Sequence, residues 1–393
     1  MEGFYRKIQS SFVFNDMLIN YLIDCNDHIT MQMVPLGMED SITDEGKIFR
    51  GDNLIQVHFA GDDQPGAYAG GTTMRNSKSA GNTVFERQEV LRQDHDGKEE
   101  VTVLTHCKDD KCRSFVQKLS FTEGDYAVKI STSVTNGSDV PADIQFLSSF
   151  SLGDITPFEK GDATECMSIY RLRSKWSYEG RLICEDIEDL QLEPSWAHWH
   201  PCVLKYGQKG SMPVKEYFPF GAAYDKKNNV TWAAMLGIES SWEMEFYRRD
   251  SALCLGGGLA DREFGHWAKR LMPGETFETP YALLTVCKDG VDTASQRLTS
   301  YGKRYLEKGP GCEKDLPVMF NEYCTTWGLP SHENISGILE AIKGHGLSYF
   351  VVDCGWFVEE GRHWGDGMGD YIPSDKLFPE GIKHTADTIK AAG

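Results

Sequence analysis

Two short stretches of the 393-residue chain place polar and aromatic side chains directly after apolar, strand-like runs. They read FNEY at 320–323 and DCGW at 353–356. In parallel β/α folds, functional groups lie where strands end and loops begin, so both stretches would meet at one edge. Carboxylates accept hydrogen bonds from hydroxyl groups, and aromatic faces pack against the apolar side of a sugar ring. This mixture predicts a sugar-binding site.

The loop after the second stretch adds further polar and aromatic candidates, which are Arg362, His363, Trp364, Asp366 and Asp370. Simpler explanations stay open. A strand-end aspartate such as Asp353 often caps a helix or stabilises a turn. The rings of Tyr323, Trp327 and Trp356 could equally be packing residues, and Arg362 and Asp366 could be solvated loop charges.

Residues 10–290 show many short runs of alternating polar and apolar residues, separated by turn-forming residues. This pattern predicts a large antiparallel β-sandwich. It changes near 291, where an apolar face at helical spacing predicts a helix; that face comprises Val291, Ala294, Leu298, Tyr301 and Tyr305. The helix and the Gly-Pro-Gly stretch that follows form a predicted linker at 291–316.

The segment 317–393 predicts the order strand, helix, strand, loop, helix. An apolar run follows Pro317, and Ser331 can cap a helix with an apolar stripe at Ile335, Ile338, Leu339 and Ile342. Leu347–Val352 predicts a second strand, and Ile382, Ala386 and Ile389 predict the next helix. Because two β/α units cannot bury both faces of a parallel sheet, we expect further strands or a partner to complete this domain.

Composition excludes several classes of protein. The net charge of -19 argues against nucleic acid or an anionic membrane as partner. The first 25 residues lack a signal peptide's apolar core, and no apolar run approaches the ~20 residues that cross a bilayer. The 11 cysteines are scattered and odd in number. They predict reduced thiols and a cytoplasmic protein.

Other motifs favour structural explanations. His198 and His200 alternate as on a strand, but no further ligand stands at a helpful spacing beside them. Gly256–Gly258 lacks the strand-to-helix context of a phosphate loop, which favours a turn or tight packing. His106, Cys107 and Cys112 form no recognisable zinc pattern. We therefore expect no metal site from these motifs.

Longer motifs resemble the N-terminal part of glycoside hydrolase family 36 α-galactosidases. FNEYCTTW is similar to the family's NxWE strand end, and YFVVDCGWF to its FVLDDGWF. GDYIPSDKLFPEGI is similar to GDWxxxxxKFPxGL. The late β segment, with FPFGAAYD at 218–225 and then LMPGETFETPYALLTV, also resembles the family pattern.

The resemblance implies a β-supersandwich over 1–290 and the first units of a (β/α)8 barrel over 317–393. It also implies a retaining α-galactosidase that uses no cofactor and forms a homo-oligomer when complete. In the family, the nucleophile lies in a later K-x-D-x-N motif, and the acid/base follows it. Neither segment occurs in these 393 residues, so this chain alone is expected to be inactive.

The resemblance assigns sugar-binding roles by position. Asp353 matches the first aspartate of DDGW, and Cys354 replaces the second, which accepts hydrogen bonds on the O4/O6 side. Tyr323 and Cys324 replace the tryptophan and glutamate of NxWE. Tyr371 stands for the tryptophan of GDW. The predicted substrate-binding residues are Asp353, Cys354, Trp356, Tyr323, Asp370, Tyr371 and Arg362.

The departures leave the function partly open. A thiol accepts hydrogen bonds poorly beside a carboxylate, so an α-N-acetylgalactosaminidase or a related specificity is the near alternative. A non-catalytic carbohydrate-binding or oligomerisation module, or a family member without turnover, are the others. In the family, an N-terminal residue can help to close the pocket; Trp176, Trp196 and Trp199 are candidates here.

Overall fold

The structure is a computed structural model that describes residues 7–47, 52–63, 72–95, 97–194, 202–212, 214–307, 309–359 and 361–393. The chain divides into two compact units, Met1–Gly302 and Lys303–Gly393. Each unit has its own buried apolar cluster. The sequence-based bounds of 1–290, 291–316 and 317–393 stay a prediction.

The strands, in chain order, are β1 (Lys7–Phe14), β2 (Met17–Ile23), β3 (Ile29–Pro35), β4 (Val57–Phe59), β5 (Val84–His95), β6 (Lys98–Lys108), β7 (Arg113–Thr122), β8 (Val128–Asn136), β9 (Ala142–Leu152), β10 (Met167–Arg173), β11 (Arg181–Asp186), β12 (Cys202–Gln208), β13 (Tyr217–Asp225), β14 (Val230–Leu236), β15 (Trp242–Arg249), β16 (Ala252–Leu259), β17 (Lys269–Leu271), β18 (Thr276–Glu278), β19 (Ala282–Cys287), β20 (Met319–Asn321) and β21 (Tyr349–Val351). The helices are α1 (Lys78–Gly81), α2 (Arg262–Gly265), α3 (Val291–Glu307), α4 (Tyr323–Thr326), α5 (His332–Ile342) and α6 (Ile382–Ala391). Short 3-10 turns lie at Glu39–Ser41, Gly311–Glu313 and Trp364–Gly367.

The first unit is built from antiparallel sheets, as its alternating sequence predicts. Within the described residues, one sheet of ten strands runs β11-β10-β13-β14-β19-β8-β7-β6-β5, with β18 beside β8. A second sheet of six runs β12-β15-β16-β9-β17, with β4 beside β9, and β1-β2-β3 form a third. Every strand pair described in this unit is antiparallel.

Alternation along the strands explains how the core forms. In β7, Phe115, Leu119 and Phe121 are buried, whereas Ser114 and Lys118, at alternate positions of the same strand, are exposed. Side chains in a strand alternate between its two faces, so the apolar face of each sheet can be turned into the core. Trp232 lies fully buried there, and its indole N–H donates to the main-chain oxygen of Met33 at 2.7 Å.

Helix α3 confirms the helix predicted from residue 291 onward. Ala294 and Leu298 are buried in a cluster that includes Phe220 and Leu283 from the large sheet. The apolar face of the first turns of α3 therefore packs on the first unit. The side chain of Tyr305, also assigned to that face, lies outside the described residues.

The second unit has the predicted order of strand, helix, strand, loop and helix. Strands β20 and β21 pair in parallel, with Met319 opposite Tyr349 and Asn321 opposite Val351. Ser331 caps α5, because its hydroxyl oxygen accepts the N–H of Asn334 at 3.1 Å. None of the described helices is long and apolar enough to span a bilayer.

The core of the second unit matches the apolar stripe of its first long helix. Ile335 and Leu339 of α5 are buried together with Leu377 and Phe378, which precede α6. The main-chain N–H of His332 also donates to the oxygen of Leu377 at 2.9 Å. The segment before α6 is thus fixed to the start of α5.

Gly256 in β16 provides a stability test of the first unit. A Cβ at Gly256 would lie 1.8 Å from a guanidinium nitrogen of buried Arg75, which binds Asp52 at 2.6 Å. Because the substitution displaces one partner of a buried ion pair, we expect Gly256→Ala to lower the free energy of unfolding by about 3 kcal/mol. Chemical denaturation measures this change.

The matched control for that substitution is Gly302→Ala in α3, where an added Cβ meets nothing within 4 Å. Alanine favours helix, so this variant should be neutral or more stable by up to about 1 kcal/mol. Equal free energies of unfolding for wild type and Gly256→Ala would contradict this interpretation, because the ion pair of Arg75 with Asp52 would then not require the space beside Gly256.

Candidate functional site

The parallel pairing of β20 and β21 brings the predicted strand-end residues together. The carboxyl ends of parallel strands meet at the same edge of a sheet. Asn321 ends β20, and Asp353 follows β21 by two residues. The side-chain amide of Asn321 donates to Asp353 Oδ2 at 2.6 Å. The two sequence stretches therefore form one site.

Asp353 is a partly exposed carboxylate with two close hydrogen-bond donors. Besides the Asn321 amide, the main-chain N–H of Cys354 donates to Asp353 Oδ1 at 2.6 Å. Hydrogen bonds to the charged form of an acid stabilise that form. The Asn321 bond, and then the Cys354 N–H, hold the pKa of Asp353 below its ordinary value. Asp353 is thus an ionised acceptor at neutral pH.

Cys354 differs in charge from its neighbour. Burial, and then its hydrogen bond to Asp353 and the charge of that residue, raise the pKa of the Cys354 thiol to about 11. Nucleophilic cysteines need a lowered pKa, because the thiolate is the reactive form. Cys354 is therefore a neutral thiol at neutral pH and lacks the charge of a carboxylate.

Glu322 is a residue of this edge to which the sequence analysis assigned no role. Its side chain is fully buried. Its Oε1 accepts the main-chain N–H of Asp353 at 2.9 Å, and its Oε2 accepts the hydroxyl of Thr326. The sequence signal that could have identified Glu322 is an acidic residue immediately after an apolar strand. An acid buried at such a position requires a hydrogen-bonded partner.

Aromatic rings surround the strand ends in two groups. The Tyr323 ring meets the edges of Trp327 and Trp364, with centroid distances of 5.9 Å and 6.4 Å. The rings of Trp356 and Tyr371 lie 6.0 Å apart at an angle of 30°. Trp327 is 71% exposed and Tyr371 is 51% exposed, so aromatic surface is available beside the polar groups.

Two glycines allow the loops at this edge to approach closely. Gly355 has φ +99°, and a Cβ there would lie 2.0 Å from the main-chain oxygen of Gly328. Gly328 has φ +83°, and its own Cβ would lie 2.6 Å from Trp364. Side chains rarely adopt this backbone region, so both positions require glycine. The glycine of the DCGW stretch therefore fixes the loop that follows Asp353.

The remaining predicted residues make fewer contacts. Arg362 and Asp370 are exposed, and their side chains form no hydrogen bond or ion pair in the part of the chain that the structure describes. Trp176 is 86% exposed in the first unit. Trp196, Trp199, His198 and His200 lie outside the described residues. The sugar-binding roles proposed for the seven residues stay predictions.

The alternative motifs of the first unit are structural where described. Gly256–Gly258 lie within strand β16, and a Cβ at Gly256 would overlap Arg75, which is the tight packing expected. His106 and Cys107 lie on β6. Across the described ranges, no group of three or more His, Cys, Asp or Glu side chains could hold a metal ion.

Comparisons with known proteins match different parts of the chain. A family model described as Melibiase matches residues 276–393. The probable alpha-galactosidase C of Aspergillus terreus is 26% identical over 225 residues, covering 53% of this chain and 29% of that protein. Alpha-galactosidase Mel36A of Lactobacillus acidophilus is 29% identical over 136 residues, covering 35% of this chain and 18% of that protein. The matched part spans less than a third of either relative.

Solved structures match the whole chain. The alpha-galactosidase from Lactobacillus brevis has a TM-score of 0.71 at 15% identity, covering 100% of this chain and 54% of that chain. A variant of the GH36 alpha-galactosidase AgaA from Geobacillus stearothermophilus, in complex with stachyose, has a TM-score of 0.72 at 13% identity. The match covers 99% of this chain and 55% of that chain. The predicted fold is confirmed, and the chain spans about half the length of these structures.

The Asn321 contact predicts the titration of Asp353. Asn321→Ala removes the largest cause of the lowered pKa, so the pKa of Asp353 should rise toward that of an ordinary aspartate. A group with a lowered folded-state pKa stabilises the fold above its unfolded pKa, and this contribution is lost as the pH falls through the folded pKa. The variant should therefore lose less stability on acidification below about pH 4.

Carbon-13 NMR titration of the Asp353 carboxyl measures the shift. Asn334→Ala is the control, since the Asn334 amide donates to the main-chain oxygen of Leu329 and not to Asp353. An Asp353 pKa that is the same in wild type and Asn321→Ala would contradict the interpretation.

Proposed function

We propose that the chain, which is similar to GH36 α-galactosidases and has an N-terminal β-rich domain, acts on terminal α-linked galactose. In this proposal the second unit supplies part of the subsite for that sugar, and Asp353 accepts hydrogen bonds from its hydroxyls. One observation carries the proposal. Asp353 is held with a lowered pKa at the carboxyl end of a parallel strand pair, three residues before Trp356, whose ring lies 6.0 Å from that of the exposed Tyr371.

The ionised state of Asp353 suits binding better than proton donation. A retaining glycosidase needs a carboxylate nucleophile and a protonated acid about 5–5.5 Å apart. The lowered pKa makes Asp353 a poor acid, and both carboxylate oxygens of the neighbouring Glu322 already accept hydrogen bonds. The family resemblance places the nucleophile in a later K-x-D-x-N motif and the acid/base after it, so we propose that both lie in segments outside these 393 residues.

The substrate class follows from the relatives. AgaA structures have been solved in complex with stachyose and with raffinose. We extend these α-galactoside oligosaccharides to this chain as the proposed substrates. The paired rings of Trp356 and Tyr371 would offer an apolar surface to the sugar, as aromatic side chains do in carbohydrate sites.

The second unit has an open apolar groove that favours completion by further β/α units. The groove has a volume of about 980 Å³ and is lined by β21 and the ends of α5 and α6, including Leu339, Ile342, Phe350, Val352 and Ile389. Strand β21 pairs only with β20 among the described residues. Because a parallel sheet is normally covered on both faces, we propose that later barrel strands and helices fill this groove.

The thiol of Cys354 keeps the near alternative open. It is neutral at the position where the family resemblance implies a second carboxylate, so the pocket differs on the O4/O6 side of the sugar. An α-N-acetylgalactosaminidase or a related specificity is the second candidate for this reason. Cytoplasmic location and assembly into a homo-oligomer also stay proposals, which rest on the sequence and on the family resemblance.

Hydrolysis assays test the proposed activity. The complete gene product should hydrolyse p-nitrophenyl α-galactoside, and its activity toward the β-galactoside should be at background. Residues 1–393 alone should release no p-nitrophenol. Turnover by this chain would contradict the proposed location of the nucleophile. Galactose binding by a complete product without turnover would support the non-catalytic alternative, and inactivity on both α-galactoside and α-N-acetylgalactosaminide would contradict the substrate class.

Replacement of the thiol tests the specificity. In the complete gene product, Cys354→Asp adds a second carboxylate acceptor, so the KM for p-nitrophenyl α-galactoside should fall about tenfold, the size expected of a charged hydrogen bond. Cys354→Ser, which adds only a neutral acceptor of similar size, is the matched control and should change KM less. Two results together would favour the alternative specificity. The KM for p-nitrophenyl α-galactoside would rise in Cys354→Asp, and the wild type would have a higher kcat/KM for the N-acetylgalactosamine substrate than for the galactoside.

A further inference from the structure

Glu322 is an unusual residue for its place in the second unit. It is 0% exposed, and it is the one charged side chain that is buried among the described residues of this unit. Carboxylates are almost never fully buried unless their oxygens are paired. Its position therefore requires an explanation beyond packing.

The contacts of Glu322 join the ends of both strands. Its own main-chain N–H donates to the oxygen of Val351 in β21 at 3.3 Å. Its Oε1 accepts the N–H of Asp353 at 2.9 Å, and its Oε2 accepts the Thr326 hydroxyl at the end of α4. A single side chain thus satisfies a main-chain donor two residues after β21 and a hydroxyl donor at the end of α4, which follows β20.

An apolar residue could not replace these bonds. Without Glu322, the partly buried N–H of Asp353 would lose its acceptor beside the strand end, which lowers stability. Burying a carboxylate is costly as well, and replacing buried ionic groups by apolar residues often leaves stability unchanged. A gain in stability therefore does not explain why a carboxylate is buried here. The need to fix the orientation of the Asp353 peptide does.

We propose that Glu322 is a positioning residue of the sugar subsite, and that it acts by holding the Asp353 peptide in one orientation. This inference rests on the proposed function and deepens it. Glu322 holds the main chain of Asp353, and Asn321 holds its carboxylate. Asp353 is thus ordered before sugar binds, which reduces the conformational entropy that is lost on binding.

Two measurements on the complete gene product test this role. Hydrogen exchange reports the protection of the Asp353 amide, and calorimetry reports the affinity for galactose. Glu322→Ala should lower the protection by about tenfold or more, because the acceptor is lost. Glu322→Ala should also lower the galactose affinity by about tenfold, because Asp353 is no longer held in one orientation before sugar binds. Glu322→Gln retains a carbonyl acceptor and should restore most of both.

A double substitution separates positioning from general stability. If Glu322 acts through the Asp353 carboxylate, Glu322→Ala should have no further effect on galactose affinity once Asp353→Ala is present. A purely structural role would give additive losses. Ile335→Val, a mild truncation of the α5 core in the same unit, is the control, and it should leave the exchange of the Asp353 amide unchanged. If Glu322→Ala does not fold, Glu322→Gln carries both measurements, with smaller losses in the same direction.

The outcomes distinguish this inference from the proposed function. An Asp353 amide that keeps its protection in both Glu322 variants overturns the inference, whether or not galactose binds. Additive losses in the double variant overturn it as well. Absence of galactose binding by the wild type overturns both the proposed function and the sugar role of Glu322. In that case, loss of amide protection in Glu322→Ala would support only the hydrogen bond between Glu322 and Asp353.

Discussion

The hydrogen bond from Asn321 to Asp353 joins the ends of two parallel strands, and the geometry of the candidate site depends on it. It forms because Asn321 lies opposite Val351, which places Asp353 just past the end of its strand. A shift of one residue in strand register would turn every side chain to the other face of the sheet. The lowered pKa of Asp353, which makes it a suitable acceptor, therefore follows from the strand pairing.

Close approaches at glycine support both units of the protein. In the first unit, Gly256 leaves the space that the buried Arg75 guanidinium occupies beside Asp52. In the second, Gly355 lets the chain after Asp353 pass against the main chain of Gly328. In each case the missing side chain lets a polar group or a loop reach a position that a Cβ would block. These positions fix geometry that apolar burial alone would leave variable.

Much of the fold is predictable from the sequence, because it follows from local patterns. Alternation predicts the antiparallel sheets, and Ser331 with its apolar stripe predicts α5. The strand-end location of Asp353 follows from the same reasoning. The role of Glu322 was not predicted, because it depends on a contact with Asp353, 31 residues further along the chain, that only the strand register reveals. The sugar-binding role of the exposed Arg362 stays a prediction, since loop geometry has no comparable periodic signal.

The most direct test of the account is a crystal structure of the complete gene product with bound galactose. The account predicts that a galactose hydroxyl oxygen lies about 2.5–3.0 Å from a carboxylate oxygen of Asp353, the usual range for a hydroxyl donor. Asp353 should also keep its bond to Asn321 in that structure. Galactose bound elsewhere, with Asp353 contacting only protein groups, would contradict the account.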